Sequence, residues 1–323
     1  MNEKNFYDHD FKAADLVSES EYVDLLNPQA IYRYLLKHVY KQDEYCKKAA
    51  MILYNHIMGR RSRTAVCGAP GSGKTHVAQY IRHLWPKTII IDSSTLSKEG
   101  WSGSRKVHGF LNEVDPASPD YIVVFDEFDK MVVPQHNSKG ENISATVQSE
   151  FLKLIEGERI TVNKGGKQYS IDTSQMSFIF CGSFAICAAE KAAANSTRHF
   201  GFLADEHIEK PYESKLTLND IMEFGVIPEI ASRLTDVINI NTLTVKDFEY
   251  MLCKHDASPI KQLEAEYMRP IRVTNKKLKA LAKEAYESGL GVRYAYAALK
   301  RQVDEALFTS FDTSDGGADE ICI

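Results

Sequence analysis

A chain of 323 residues, 44% hydrophobic and 26% charged, can form one sizeable core with a smaller satellite, so two domains are expected. Its 39 basic and 44 acidic residues leave a formal net charge of −5, which gives no global attraction to nucleic acid or to an anionic membrane. No signal peptide opens it and no run approaches the ~18 apolar residues of a membrane span, so a cytoplasmic protein with no membrane partner is expected.

Residues 1 to 28 are acidic and read as a solvated arm, its Asp8-His9-Asp10 cluster included. Pro28 opens a helical region in which Cys46, Ala49, Ala50, Leu53 and Ile57 share one face. Gly59-Arg60-Arg61-Ser62-Arg63 ends it and reads as a solvated turn. A short β-type run, Ala65-Val66-Cys67, then leads into Gly68-Ala69-Pro70-Gly71-Ser72-Gly73-Lys74-Thr75, and an amphipathic stretch follows from His76. The segment fits G-x-x-x-x-G-K-[ST] without a mismatch, in the strand–loop–helix setting the motif needs. A glycine-rich backbone there can turn its N–H groups onto phosphate oxygens at a helix N-terminus. Lys74 is placed to reach the β and γ phosphates and Thr75 to ligate Mg²⁺. The spacing predicts a bound nucleoside triphosphate.

Thr88-Ile89-Ile90-Ile91-Asp92 and Tyr121-Ile122-Val123-Val124-Phe125 read as buried parallel strands. The second runs straight into Asp126-Glu127. There Asp126 would hold Mg²⁺ and Glu127 would polarise the attacking water. Val147, Phe151, Leu154 and Ile155 mark a helix stopped near Gly157, and Asn163 to Lys167 links a hairpin. Ser177 to Cys181 is the next core strand. Ser183 beyond it can present a hydroxyl to the γ-phosphate, or serve simply as a turn residue. Asp236 to Ile240 reads as a last core strand, and from about Asn241 the pattern turns helical, with one extended piece at Ile271-Arg272-Val273. Six cysteines (Cys46, Cys67, Cys181, Cys187, Cys253 and Cys322) form no C-x-x-C pair and read as reduced, mostly buried thiols.

The expected organisation is an arm (1–28), a large α/β domain (29–241), a small helical domain (242–311) and an acidic tail (312–323) whose role the sequence leaves unread. Strands alternating with helices around the motif imply a parallel sheet with helices on both faces. No protease or esterase motif accompanies it, so the expected work is mechanical or regulatory.

These motifs and the segments between them resemble the ClpX family of AAA+ protein unfoldases, from about Ile31 to about Phe311. Tyr54-Asn55-His56 is similar to the family's helix before the motif, and Gln148 to Gly157 to its segment after the Mg²⁺-site strand. Phe224 to Leu234 resembles the arginine-finger segment, which implies Arg233 as the finger. Gly291-Val292-Arg293 resembles the sensor-2 element, which implies that Arg293 touches the nucleotide. Val39 and Tyr40 fall in the adenine-contact segment, where His38-Val39-Tyr40-Lys41-Gln42 matches the family's Val-Ile-Gly-Gln only loosely. Gly100-Trp101-Ser102-Gly103 falls at the axial pore loop, and Phe200-Gly201-Phe202 resembles the Ile-Gly-Phe loop that docks on ClpP.

The resemblance implies AAA+ large and small domains, ATP and Mg²⁺, hydrolysis in a homo-hexamer, polypeptide substrates threaded through a pore, and a ClpP-like peptidase partner. It also has departures. Residues 1 to 28 contain nothing like the family's zinc-binding domain, and the hairpin insert is cut to Gly165-Gly166-Lys167-Gln168. Two other readings stay open: a nucleic-acid-acting AAA+ ATPase such as a helicase or loader, and a nucleotide-binding scaffold without turnover.

Overall fold

The computed structural model describes residues 23–97, 105–136, 140, 142–198, 210–255, 258–312 and 320–323. The first helix, α1 (Pro28–His38), starts where expected: Pro28 takes the first turn and the Asn27 side chain accepts from the Gln29 and Ala30 amides. In α2 (Asp43–Ile57) the predicted face is the buried one, with Cys46, Ala49, Ala50 and Leu53 inside. There follow β1 (Arg63–Cys67), α3 (Lys74–Leu84), β2 (Thr88–Asp92), the short β3 (Leu96–Ser97) and β4 (Arg105–Lys106), β5 (Ile122–Asp126), α4 (Phe128–Val132) and α5 (Ile143–Glu156). A hairpin of β6 (Arg159–Lys164) and β7 (Lys167–Asp172) precedes β8 (Ser177–Gly182), α6 (Ala185–Arg198), α7 (Leu218–Phe224), α8 (Pro228–Ala231) and β9 (Asp236–Asn239).

The main sheet has the order β2-β5-β8-β1-β9, and every pairing in it is parallel. Its strands are covered on both faces, which is why they read as unbroken apolar runs. Alternate residues feed two separate cores. Ala65, Val123, Phe125, Phe178 and Phe180 point to one, with Phe128 of α4 and Phe151 of α5. Val66, Ile122, Val124, Ile179 and Ile238 point to the other, with Leu35 of α1, Leu53 of α2 and Ile81 of α3. The rings of Phe125 and Phe180 stack at 5.5 Å across β5 and β8. Each such fully buried side chain contributes about 1.5–3 kcal/mol. Because all five strands run the same way, their C-terminal ends (Cys67, Asp92, Asp126, Gly182 and Asn239) share one edge, where open α/β sheets bind ligands. The strand expected last in the core, β9, lies at the sheet's margin.

The remaining elements are α9 (Val245–Cys253), α10 (Pro259–Tyr267), β10 (Ile271–Arg272), α11 (Asn275–Glu287), α12 (Val292–Asp312) and β11 (Ile321–Cys322). They build a third core from Leu252, Ile260, Leu263, Leu278, Leu299 and Val303. Ile240 still belongs to a large-domain core and Leu243 already to this one, so the crossover takes only a few residues.

The stretch whose role the sequence leaves unread ends in a strand: β11 pairs in parallel with β10, and Ile321 is buried. One expectation needs correction: the turn before β1 is not solvated throughout, since Arg61 Nη1 donates to the His56 carbonyl at 2.8 Å. Among the described residues no helix is long and apolar enough to cross a membrane.

Candidate active site

At the C-terminal edge of β1 the chain turns through the glycine-rich loop into α3. Gly71 (φ +72) and Gly73 (φ +99) adopt left-handed backbone that side chains resist, and Gly73 caps the helix. Lys74 Nζ donates to the carbonyls of Gly68 (2.6 Å) and Ala69 (2.9 Å), so the loop wraps its own ammonium. Burial lowers the Lys74 pKa, opposed by negative charge that includes Asp129 and Asp126. The Tyr45 hydroxyl donates to the Lys74 carbonyl at 3.2 Å and holds the helix start against α2.

The loop meets the end of β5 directly. Thr75 Oγ1 donates to Asp126 Oδ2 at 2.6 Å, although 51 residues separate them. Glu127 follows at φ +54, a left-handed conformation that costs a non-glycine residue roughly 1–2 kcal/mol. The Asp126 carboxylate accepts from the Glu127 amide at 3.1 Å, and Lys130 Nζ holds Glu127 Oε2 at 2.7 Å. That bond is the main cause raising the Lys130 pKa. Glu127 is thus strained where β5 ends at the sheet's edge, and strained backbone commonly marks a functional residue.

Ser183, just past β8, donates to Asp129 Oδ2 at 2.7 Å, and the Phe184 amide donates to the same oxygen at 3.2 Å. Asp129 is buried, so it holds the Ser183 hydroxyl in one orientation just past the end of β8. His76, one residue beyond Thr75, has its pKa lowered by burial first and also by the nearby charge of Arg293. Arg293 is the second residue of α12, in the small domain, and its charge reaches His76 in the first turn of α3. The glycine before that helix explains the close approach: a Cβ on Gly71 would lie 3.1 Å from Gly291 N, and one on Gly291 only 2.8 Å from Gly71 O. Val39 is buried, and Tyr40 stacks on Tyr250 of α9 at 4.6 Å.

Arg233 lies elsewhere. It precedes β9, which runs parallel to β1, so it sits off the sheet edge opposite the glycine-rich loop. A strand of that length is roughly 13 Å long. Its Nη1 donates to the Glu229 carbonyl at 2.6 Å, and its Nη2 forms an ion pair with Glu156. Residues 100–103, including Trp101, and residues 200–202 lie outside the described residues.

Several contributors escaped the sequence reading. Asp129 is a buried carboxylate three residues past Asp126, and Lys130 partners Glu127; both follow the Asp-Glu pair closely enough to have been flagged. Gln42, read only as the end of the loosely matched adenine-contact segment, is 1% exposed and donates Nε2 to the Ser72 carbonyl at 3.1 Å, a bond to the P-loop that the match does not specify.

The donor set suits magnesium. A threonine hydroxyl beside one carboxylate gives few protein oxygens, and Mg²⁺ is usually held by one or two carboxylates, waters and substrate phosphates. Among the described residues no cluster of three or more His, Cys, Asp or Glu side chains offers a closed metal cage instead.

A parallel sheet with a P-loop after one inner strand, an acidic pair ending another and a helical lid against the loop defines an AAA+ P-loop ATPase fold. Residues 61–237 match the AAA domain (Cdc48 subfamily), and the chain belongs to that family. It is similar to ClpX, the ATP-binding subunit of the ATP-dependent Clp protease. The ClpX of Treponema denticola is 26% identical over 87% of this chain and 76% of that protein. The Porphyromonas gingivalis ClpX is 26% identical over 88% of this chain and 78% of its own length. For the Borrelia duttonii ClpX the values are 26%, 88% and 74%. The chain is thus a divergent ClpX-like member of the family.

Proposed function

We propose that this protein hydrolyses ATP in a ring of identical subunits and uses the cycle to unfold polypeptides, in the manner of ClpX. The observation that carries the ATPase reading is the Thr75–Asp126 contact, with Lys74 on one side and Glu127 on the other. Lys74 and the loop amides bind the phosphates, Thr75 and Asp126 hold Mg²⁺, and Glu127 orients and deprotonates the attacking water. Bound Mg²⁺ supplies neutralisation of the phosphate charge. Val39 and Tyr40 take the adenine side, and Arg293 reads the phosphate state from the lid. Ser183, held by Asp129, has the place of a γ-phosphate contact.

Arg233 acts in a neighbouring subunit. Its distance from its own P-loop supports this, since a finger that works in trans must face outward. That requirement is why a homo-hexamer is part of the proposal. A polypeptide substrate rests on the similarity to ClpX and on Gly100-Trp101-Ser102-Gly103, where an aromatic ring between glycines suits gripping any unfolded chain. Docking of Phe200-Gly201-Phe202 on a ClpP-like peptidase is the remaining element of the reading.

The test is a Glu127→Gln protein that binds ATP without turning it over, used to trap substrates. Unfolded polypeptides recovered with ATP, and lost when Trp101→Ala is added, support the reading. ATPase activity stimulated by DNA and not by unfolded protein would replace it with a nucleic-acid function.

A further inference from the structure

The turn between α1 and α2 carries a residue in an unfavourable conformation, and the neighbouring contacts give it a purpose. Lys41 sits at φ +60, where its Cβ crowds the carbonyl. Its ammonium lies 3.0 Å from both carboxylate oxygens of Asp247, the third residue of α9 in the small domain. Asp247 is 6% exposed and also accepts from the Thr244 amide (2.8 Å) and hydroxyl (2.7 Å). One residue on, Gln42 joins three segments. Its Nε2 donates to the carbonyls of Ser72 in the P-loop (3.1 Å) and Asn241 in the interdomain linker (2.8 Å), and its Oε1 accepts from the Asn241 amide at 2.8 Å. Asn241 Nδ2 completes the circuit on the Lys41 carbonyl at 2.7 Å.

We propose that Lys41–Asp247 is a latch between the two domains and that Gln42 couples it to the P-loop, so that Lys41 is a positioning residue governing nucleotide release. The inference rests on reading residues 68–75 as the nucleotide site. Lid opening would part the half-exposed Lys41 ammonium from the nearly buried Asp247 carboxylate, which keeps its bonds from Thr244, and this costs more than parting a fully exposed pair. The left-handed turn aims the lysine; the charge does the holding. A glycine would lose the latch and relieve the strain of the turn, whereas an alanine would lose the latch and keep the strain that lysine already bears.

That separation makes the test. Release of a fluorescent ADP analogue from the full chain is followed by stopped flow for wild type, Lys41→Gly, Lys41→Ala, Asp247→Asn and the Lys41→Gly/Asp247→Asn pair, with melting temperatures on the same preparations. Both Lys41 variants should release the analogue faster by a similar factor, about fivefold or more, the low end of coupling between sites. Their melting temperatures should differ, with the glycine variant melting above the alanine variant because only glycine relieves the turn. The double variant should be no faster than the faster single one. Unchanged release in Lys41→Gly overturns the latch, and so does release that merely follows melting temperature. A wild type that retains no analogue at all is a different result: it removes the nucleotide site, and the latch falls with it.

Discussion

The Thr75 hydroxyl donates to the Asp126 carboxylate at 2.6 Å and ties the first turn of α3 to the end of β5, with β8 lying between β1 and β5 in the sheet. Two motifs 51 residues apart, read in the sequence as halves of one site, meet directly in space. The strand order brings them together, because parallel strands on either side of β8 must end at the same edge.

Substitutions in this constellation should separate binding from turnover. Glu127→Gln should bind ATP normally and hydrolyse it at least ~10²-fold more slowly, since only water activation is lost. Lys74→Ala should instead weaken nucleotide binding itself. The check is calorimetric affinity beside steady-state ATPase; equal hydrolysis by wild type and Glu127→Gln would remove the assignment.

Arg233→Ala should leave nucleotide binding nearly intact while abolishing turnover. Its bonds to Glu156 and Glu229 are at the surface, so the substitution should cost no more than about 1 kcal/mol of stability. Mixing Arg233→Ala with Glu127→Gln protein should restore part of the ATPase wherever an intact Glu127 meets an intact Arg233. A fully active monomer at micromolar concentration with ATP would refute the action in trans.

What the sequence made legible follows from locality. The strands β2, β5 and β8 were readable because burial on both faces imposes an unbroken apolar run, and the P-loop because its spacing is strict. The β11 strand was not: Ile321 and Cys322 show no period, and the partner β10 lies before two helices. The left-handed turn at Lys41 was equally silent, since lysine has no preference for it and the stabilising Asp247 comes from a distant segment. Arg61 read as solvated because nothing nearby revealed that His56 would bury beneath it.

That histidine sets a pH dependence. The Arg61 guanidinium can only donate, so His56 Nδ1 must accept from it (3.1 Å) while Nε2–H donates to the Asp120 carbonyl (3.1 Å). The ring is therefore neutral, and burial pushes its pKa from 6.5 down to about 4. In that window the unfolded chain holds a proton that the folded one does not. Stability is fully present above 6.5 and falls as pH drops toward about 4, by about 3 kcal/mol in all. Urea unfolding should show wild type losing about 1 kcal/mol relative to His56→Gln between about pH 7 and about pH 5.5. Parallel pH profiles for the two proteins would contradict it.

The last prediction concerns the docked C-terminus. Ile321 is 4% exposed in the small-domain core, its amide donates to the Pro270 carbonyl at 2.9 Å, and Glu320 beside it pairs with Arg272. Truncating a buried isoleucine to alanine costs about 2–5 kcal/mol, and a charge there costs more. The small domain's core shares no residue with the two cores of the large domain, so Ile321→Asp should lower one transition and leave the other. In a domain of this size each kcal/mol lost lowers the melting temperature by roughly 4–8 °C. Cys322, exposed on the same strand, supplies the control: Cys322→Ser should melt like wild type. The consequence should reach the nucleotide, because the small domain carries Gly291 onto Gly71 and Arg293 toward His76. Ile321→Asp protein held below its lower transition should therefore lose an ADP analogue faster than wild type. Calorimetry and release kinetics on one preparation decide the matter. An Ile321→Asp protein with wild-type melting and wild-type release would mean that β11 is a passive appendage and that the lid stands without it.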